Sequence, residues 1–168
     1  MMKTNMKFFA AAAVMTLAMG AQGAWAATAN GTASATIVNP IAVSNSRDLA
    51  FGSIATVAEG GTVALTAVST TVVTDTSVVS SGTQTSAKFT VTGGAYNTYS
   101  FSVPETVTLA RGAGGTGNTM SATLTNSTPA GLGSAGSEDI YVGGTLTVGA
   151  NQANGTYSGT FVATVAYN

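Results

Sequence analysis

Few side chains in this chain could do chemistry. Its 168 residues contain no His and no Cys. That excludes a Ser-His-Asp triad, a Cys/His nucleophile pair, and a zinc or iron–sulfur centre built from the usual ligands. The acids are Asp48, Glu59, Asp75, Glu105, Glu138 and Asp139. A glycosidase needs two carboxylates facing each other about 5–9.5 Å apart across a sugar. The adjacent Glu138-Asp139 reads instead as solvated loop acids or a turn cap. Gly114-Gly115-Thr116-Gly117-Asn118 partly mimics a calcium-binding nonapeptide repeat. It occurs once, with Thr119 where the Asp should stand, so it reads as a flexible loop. No Lys-Ser/Thr follows it, which removes a phosphate cradle. Tyr96 and Tyr99 could stack on a sugar, although core or rim packing is the commoner fate of sandwich aromatics. Asn30-Gly31-Thr32, Asn126-Ser127-Thr128 and Asn154-Gly155-Thr156 match the glycosylation triplet, which arises by chance in a Thr-rich chain. No catalytic residue, cofactor or metal ligand is assigned, and the chain does not read as an enzyme.

Charge narrows the partners further. Only 7% of residues are charged while 45% are hydrophobic, a balance that suits a folded chain rather than a disordered one. Lys3 and Lys7 sit at the start, leaving Arg47, Lys88 and Arg111 to face all six acids. Three scattered cations cannot neutralise a nucleic-acid backbone. Lys3 and Lys7 also precede the apolar run Phe8–Met19, and Ala24-Trp25-Ala26 supplies a small-x-small cleavage pattern. Residues 1–26 therefore read as a signal peptide cut after Ala26. The apolar run falls well short of the roughly 20 residues that cross a bilayer as a helix. The expectation is an exported mature protein that does not span the membrane and does not rely on disulfides.

The elements that would position any site read as strands throughout. Thr, Ser and Val dominate, helix formers are scarce, and no helical periodicity extends over three turns. Alternating runs separated by turn residues place candidate strands at 28–38, 41–44, 48–55, 61–68, 70–74, 87–92, 97–103, 106–110, 118–125, 142–148 and 156–167. The clearest pair is Lys88–Thr92 and Tyr99–Val103, joined by a turn at Gly93–Asn97. Loops are expected at 112–118 and 127–137, the second being the most variable surface. Short strands at such intervals predict a single all-β domain, an antiparallel β-sandwich.

The two ends stand apart from the rest. Residues 156–167 form one of the strongest strand signals, with Tyr157, Phe161, Ala163, Val165 and Tyr167 on one face. An apolar strand running to the last residue must be paired with something. Near the other end Ala29, Gly31, Ala33, Ala35 and Ile37 alternate with polar residues, and Asn39-Pro40 marks a turn into the body. This arm of roughly 11 residues, about 35 Å when extended, buries too little to hold itself in place. It needs an acceptor groove in its own domain or in a neighbour. The layout is thus a signal at 1–26, an arm at 27–39 and a sandwich at 40–168.

These residues carry a resemblance. Asn39-Pro40-Ile41-Ala42-Val43, Leu49-Ala50-Phe51-Gly52-Ser53-Ile54 and the closing Gly155–Tyr167 resemble the spore-coat-protein-U-like subunits of archaic chaperone–usher pili. They also resemble a bacterial domain family of unassigned function with a similar L-x-F-G and G-T-Y-S-G-T-F layout. Tyr167 is penultimate and Gly155 opens the closing segment, a pairing similar to the strand that a periplasmic chaperone binds in such pilins. The chain departs from many of them in lacking a cysteine pair.

The resemblance implies an immunoglobulin-like sandwich missing its final strand. On that basis Ala29, Gly31, Ala33, Ala35 and Ile37 form the donor-strand interface, and Gly155, Tyr157, Phe161, Ala163, Val165 and Tyr167 the acceptor or chaperone interface. The implied partners are identical or related subunits, with a periplasmic chaperone and an outer-membrane usher in transit. The implied location is the periplasm and then the cell surface, in a fimbrium or outside the cell. Strand addition of this kind is head-to-tail and yields an open filament. Two alternatives stay open: that residues 28–38 complete their own sheet, and that the chain is a self-complete binding module for a polysaccharide or surface.

Overall fold

The computed structural model describes residues 26–55, 58–68, 73–76, 78–112 and 118–168. By its contacts the chain divides into two units, Met1–Ala35 and Thr36–Asn168. Residues 1–25 of the expected signal segment lie outside the described residues, as do residues 113–117 of the glycine-rich loop. Residues 26–35 are exposed and carry no strand.

The second unit is all-β, with no helix among the described residues. In chain order the strands are β1 (Ala42–Arg47), β2 (Ser53–Ile54), β3 (Gly61–Leu65), β4 (Val73–Thr76), β5 (Ser80–Ser81), β6 (Ala87–Thr92), β7 (Tyr99–Ser102), β8 (Thr106–Ala110), β9 (Thr119–Asn126), β10 (Ser137–Val148) and β11 (Thr164–Tyr167). Their pairings are antiparallel throughout.

The long strand β10 organises the fold. Its first half, Ser137–Val142, pairs with β6, which carries β1 on its far side. Its second half lies between β3 and β9, which carry β4 and β8 in turn. The change of partners falls at the buried Gly143-Gly144. A Cβ on Gly143 would run into the Leu65 carbonyl oxygen, and one on Gly144 into that of Thr123. Only glycine lets three strands close on this point. The opposing layer is thinner: β7 paired with β11, β2 paired with β5, and a single bridge from Ala50 to Thr85. Alternation fills the space between, with Ala87, Phe89 and Val91 of β6 buried against Tyr99 and Phe101 of β7 and Ile140, Val142, Leu146 and Val148 of β10. The Phe89 ring meets Phe101 and Phe161 at 5.8 and 6.0 Å between centroids. Each such side chain contributes roughly 1.5–3 kcal/mol on burial.

Several sequence expectations need correction. No strand forms over 28–38, whose small-residue face has too little apolar area to fix it. The run 48–55 is strand only at Ser53–Ile54, because Gly52 turns the chain at φ +79°. The strand expected at 142–148 begins at Ser137, so Glu138 and Asp139 lie in β10 and not in a loop. They are tolerated there because neighbours satisfy them: Thr90 Oγ1 donates to Asp139 at 2.9 Å and Lys88 Nζ pairs with it at 2.8 Å. The run 156–167 is regular strand only from Thr164, with one bridge at Ser158 to Ala110. Residues 127–136 do lack strand, but Leu132 within them is fully buried. The short β5 was not expected at all. Of the 70–74 candidate, residues 70–72 lie outside the described residues.

Candidate functional site

The closing segment has one edge committed and one open. Ser158 spends its N–H and C=O on Ala110, at 3.1 and 2.8 Å, and Asn168 N–H donates to Thr98 O at 3.3 Å. The residues of the same parity between them thus aim their backbone groups at β8 and β7. Phe161, Ala163 and Val165 have the other parity, so their N–H and C=O point to the opposite edge. β11 belongs to a two-stranded sheet with β7, so no described strand pairs on that edge. Burial follows the same alternation: Phe161, Ala163, Val165 and Tyr167 are half-buried against the core, and the residues between them are exposed.

Across from the start of this segment lies residues 49–55, and the two are separated by a cleft of about 620 Å³. Leu49, Phe51 and Ile54 form one wall, and residues 152–157 the other. Leu109 of β8, Met120 of β9, and Leu146 and Val148 of β10 line the floor. The Ala50 N–H and C=O are both spent on Thr85, at 2.9 Å each. By alternation the Phe51 backbone then faces away from that bridge.

The second wall is braced internally. Tyr157 Oη donates to Ala153 O at 2.7 Å and accepts from Gln152 Nε2 at 2.8 Å. Arg111 donates from Nη1 to Asn154 O at 3.0 Å and from Nε and Nη2 to Asn118 Oδ1 at 3.1 and 2.6 Å. Gly155 sits at φ +146°, and a Cβ there would strike the Arg111 side chain. Glycine is therefore required at Gly155 on both counts.

At the far end, Tyr167 Oη donates to Asn39 O and accepts from Gly94 N–H, each at 2.7 Å. Its ring packs against Gly93, where a Cβ would collide with the hydroxyl. The acceptor residues named from sequence thus lie along one segment from Gly155 to Tyr167. The donor residues Ala29, Gly31, Ala33, Ala35 and Ile37 are all exposed and lie in no strand, Ile37 being 97% exposed. Sequence reasoning missed the cleft's other residues, Leu109, Met120, Leu146 and Val148, which no local pattern groups together.

Glu138 and Asp139 are each committed to structural partners. Glu138 accepts from Tyr99 Oη at 2.5 Å, from Ala130 N–H at 2.7 Å and from Gly131 N–H at 3.0 Å, tying the 127–136 segment to β7. Burial first, and then the Glu138 carboxylate, push the Tyr99 phenol well above its ordinary value. Asp139 is held below the usual carboxylate range mainly by its bond from Lys88. Among the described residues no group of three or more Asp or Glu could hold a metal ion. Tyr99 is buried, whereas Tyr96 is 78% exposed in a left-handed turn at φ 62°.

A family model for a domain of unknown function, DUF4402, matches residues 41–167. The chain belongs to the DUF4402 family. No curated protein and no solved structure matches it. The DUF4402 match begins directly after Pro40, so it takes in β1–β11 and both walls of the cleft. It leaves residues 27–39 outside the family domain.

Proposed function

We propose that this DUF4402 chain is a structural subunit of an exported surface fibre, in which residues 27–39 of one copy add a strand to the sandwich of the next. The observation that carries the reading is the unpaired edge of the closing segment, which continues from a cleft lined in part by Leu49, Leu109, Met120 and Leu146. Strand addition would supply backbone partners for Phe161, Ala163 and Val165 and cover the side chains that line the opening. The arm supplies a fitting donor: an uncharged segment with small residues on one face and Ile37 at its base. Burying Ile37 alone is worth about 1.5–3 kcal/mol. The arm and the cleft are different surfaces of one molecule, so the contact is heterologous and repeats into an open filament. An edge of this kind also needs cover during export, which is the task the reading gives to a periplasmic chaperone and an outer-membrane usher.

The test is the size distribution of processed protein. Ladders of subunits that survive mild denaturant are expected, and deletion of 27–38 should abolish them. Ile37→Asp should weaken them while leaving the domain folded. Monomers with and without the arm, together with a clear hit on a glycan array, would instead identify a self-complete binding module.

A further inference from the structure

The Tyr167 hydroxyl joins three separate pieces of chain. It holds the Asn39 carbonyl at the root of the arm, the Gly94 amide in the β6–β7 turn, and its own C-terminal strand. Its hydrogen and an acceptor lone pair are both used, and Gly94 is buried, so water does not readily replace the tyrosine there. The ring is held by shape as well, since Gly93 leaves no room for a side chain beneath it.

This junction ties the end of β11 to the chain entering β1. β1 and β11 approach within 8 Å, Cα to Cα. A strand inserted between two others needs them about 9.5 Å apart, twice the ordinary spacing of 4.7–4.9 Å. Where the two lie this close, the gap between them is too narrow to admit another strand.

We infer that Tyr167 is a latch: its bonds to Asn39 and Gly94 hold the end of β11 against the entry of β1, and a full-length strand enters between the two only when they break. The inference rests on the strand-addition reading above and names its control. A donor can start on the closing segment ahead of β11 without opposition. Pairing as far as Val165 requires β1 to move away from β11, and the Asn39 contact resists that movement. The same contact fixes where the arm leaves the body. If the chain's own arm folded back along the C-terminal strand, its Asn39 end would lie beside Tyr167, and the two would run parallel. Parallel pairing is slightly less stable per residue, and a neighbour's arm is free to run antiparallel. The latch thus disfavours self-insertion as well as early insertion.

The experiment compares the processed chain with Tyr167→Phe and Thr90→Val. The second variant loses a hydroxyl bonded to Asp139 on the outer face of β6, away from the closing segment, and controls for general loosening. The probe is a fluorescent peptide of residues 27–39 in excess, with uptake followed over time and amide exchange read at Gly94 and over 36–43. Losing the Tyr167 hydroxyl should speed both peptide uptake and Gly94 exchange by about tenfold, the effect of one to two net hydrogen bonds. Thr90→Val should change neither. Equal uptake by wild type and Tyr167→Phe, unchanged Gly94 exchange, or equal acceleration by Thr90→Val would each overturn the latch alone. No uptake by any of the three chains would overturn strand addition itself and the latch with it.

Discussion

Leu132 offers the sharpest test of how this domain is held together. It sits in a segment of glycine, serine and proline that has every compositional mark of a free loop, yet it has no solvent-accessible surface. Its N–H donates to Asn97 O at 3.1 Å and its carbonyl accepts from Ser137 N–H at 3.1 Å. Tyr96 N–H reaches Gly133 O at 2.7 Å, and Gly93 N–H reaches Gly136 O at 2.9 Å. The loop is therefore stitched to the β6–β7 turn, with the Leu132 side chain as its plug beneath Gly93. Leu132→Ala removes three carbons, or about 2.4 kcal/mol at roughly 0.8 kcal/mol for each. A cavity left in so tied a site raises the loss to about 3–4 kcal/mol, within the range for buried Leu→Ala changes. For a domain of this size that corresponds to a fall in Tm of about 10–15 °C.

The assay is urea unfolding followed by circular dichroism, with the slope unchanged and only the midpoint moved. Because Leu132 and Tyr167 both pack against Gly93, next to Gly94, Gly94 amide exchange should also quicken. A loss under about 1 kcal/mol, with Gly94 exchange unaltered, would mean that residues 127–136 float as an independent loop.

Four other outcomes follow from the same contacts. Gly144→Ala, which drives a Cβ into the Thr123 carbonyl, should cost about 3 kcal/mol or more by overpacking a strand junction, read as a lowered urea midpoint. The Tyr99 phenol is raised above its ordinary value of 10.0, so its contribution is intact below about pH 10 and fades as pH rises beyond it; Tyr99→Phe should flatten the alkaline limb of a Tm–pH curve, and an unaltered limb would refute this. Asp139 is depressed below 3.8, so its contribution is present above that pH and is lost as pH falls through the folded value; the acid limb should flatten in Asp139→Asn and respond to salt, because the Lys88 pair is exposed. Ala163→Lys, on the half-buried face beside the open edge, should block subunit ladders, whereas Val162→Lys on the 73% exposed face should leave them unchanged.

The fold class was legible because side-chain alternation reports a buried face directly. Phe89 and Val91, then Tyr99 and Phe101, fall inward as the period of two requires, and β8 matches its expected span of 106–110. Alternation does not report a ladder, however. Phe161, Ala163, Val165 and Tyr167 share a face as read from sequence, yet regular pairing starts only at Thr164. The run ahead of it touches β8 by a single bridge, with Gly159 pressed on the Thr108 carbonyl. Glu138-Asp139 read as loop because their charge does, and what keeps them in β10 comes from Lys88, Thr90 and Tyr99, far away in sequence. The cleft was illegible for the same reason. Leu49, Leu109, Met120 and Leu146 come from four separate stretches, and only the topology brings them together.

One property of the composition joins the two ends of the chain. Open strand edges are ordinarily guarded by lysines, prolines or inward charges, since an unguarded edge templates aggregation. The three cations after residue 26 guard nothing here. Arg47 is bound to Ser86, Lys88 to Asp139, and Arg111 to Asn118 and Asn154. Residues 155–168 contain no charged residue, and neither do residues 27–40. A chain that leaves one strand edge without a gatekeeper, and carries a second uncharged β-capable segment at its other end, has two surfaces with the same requirement. The opposing layer is built from two-stranded sheets, which are marginal alone, and there is no disulfide to reinforce it. A strand added at the open edge would widen the thinnest layer and cover the least protected edge in one step. The absence of guarding charges is thus better suited to an edge that is filled than to one that faces solvent.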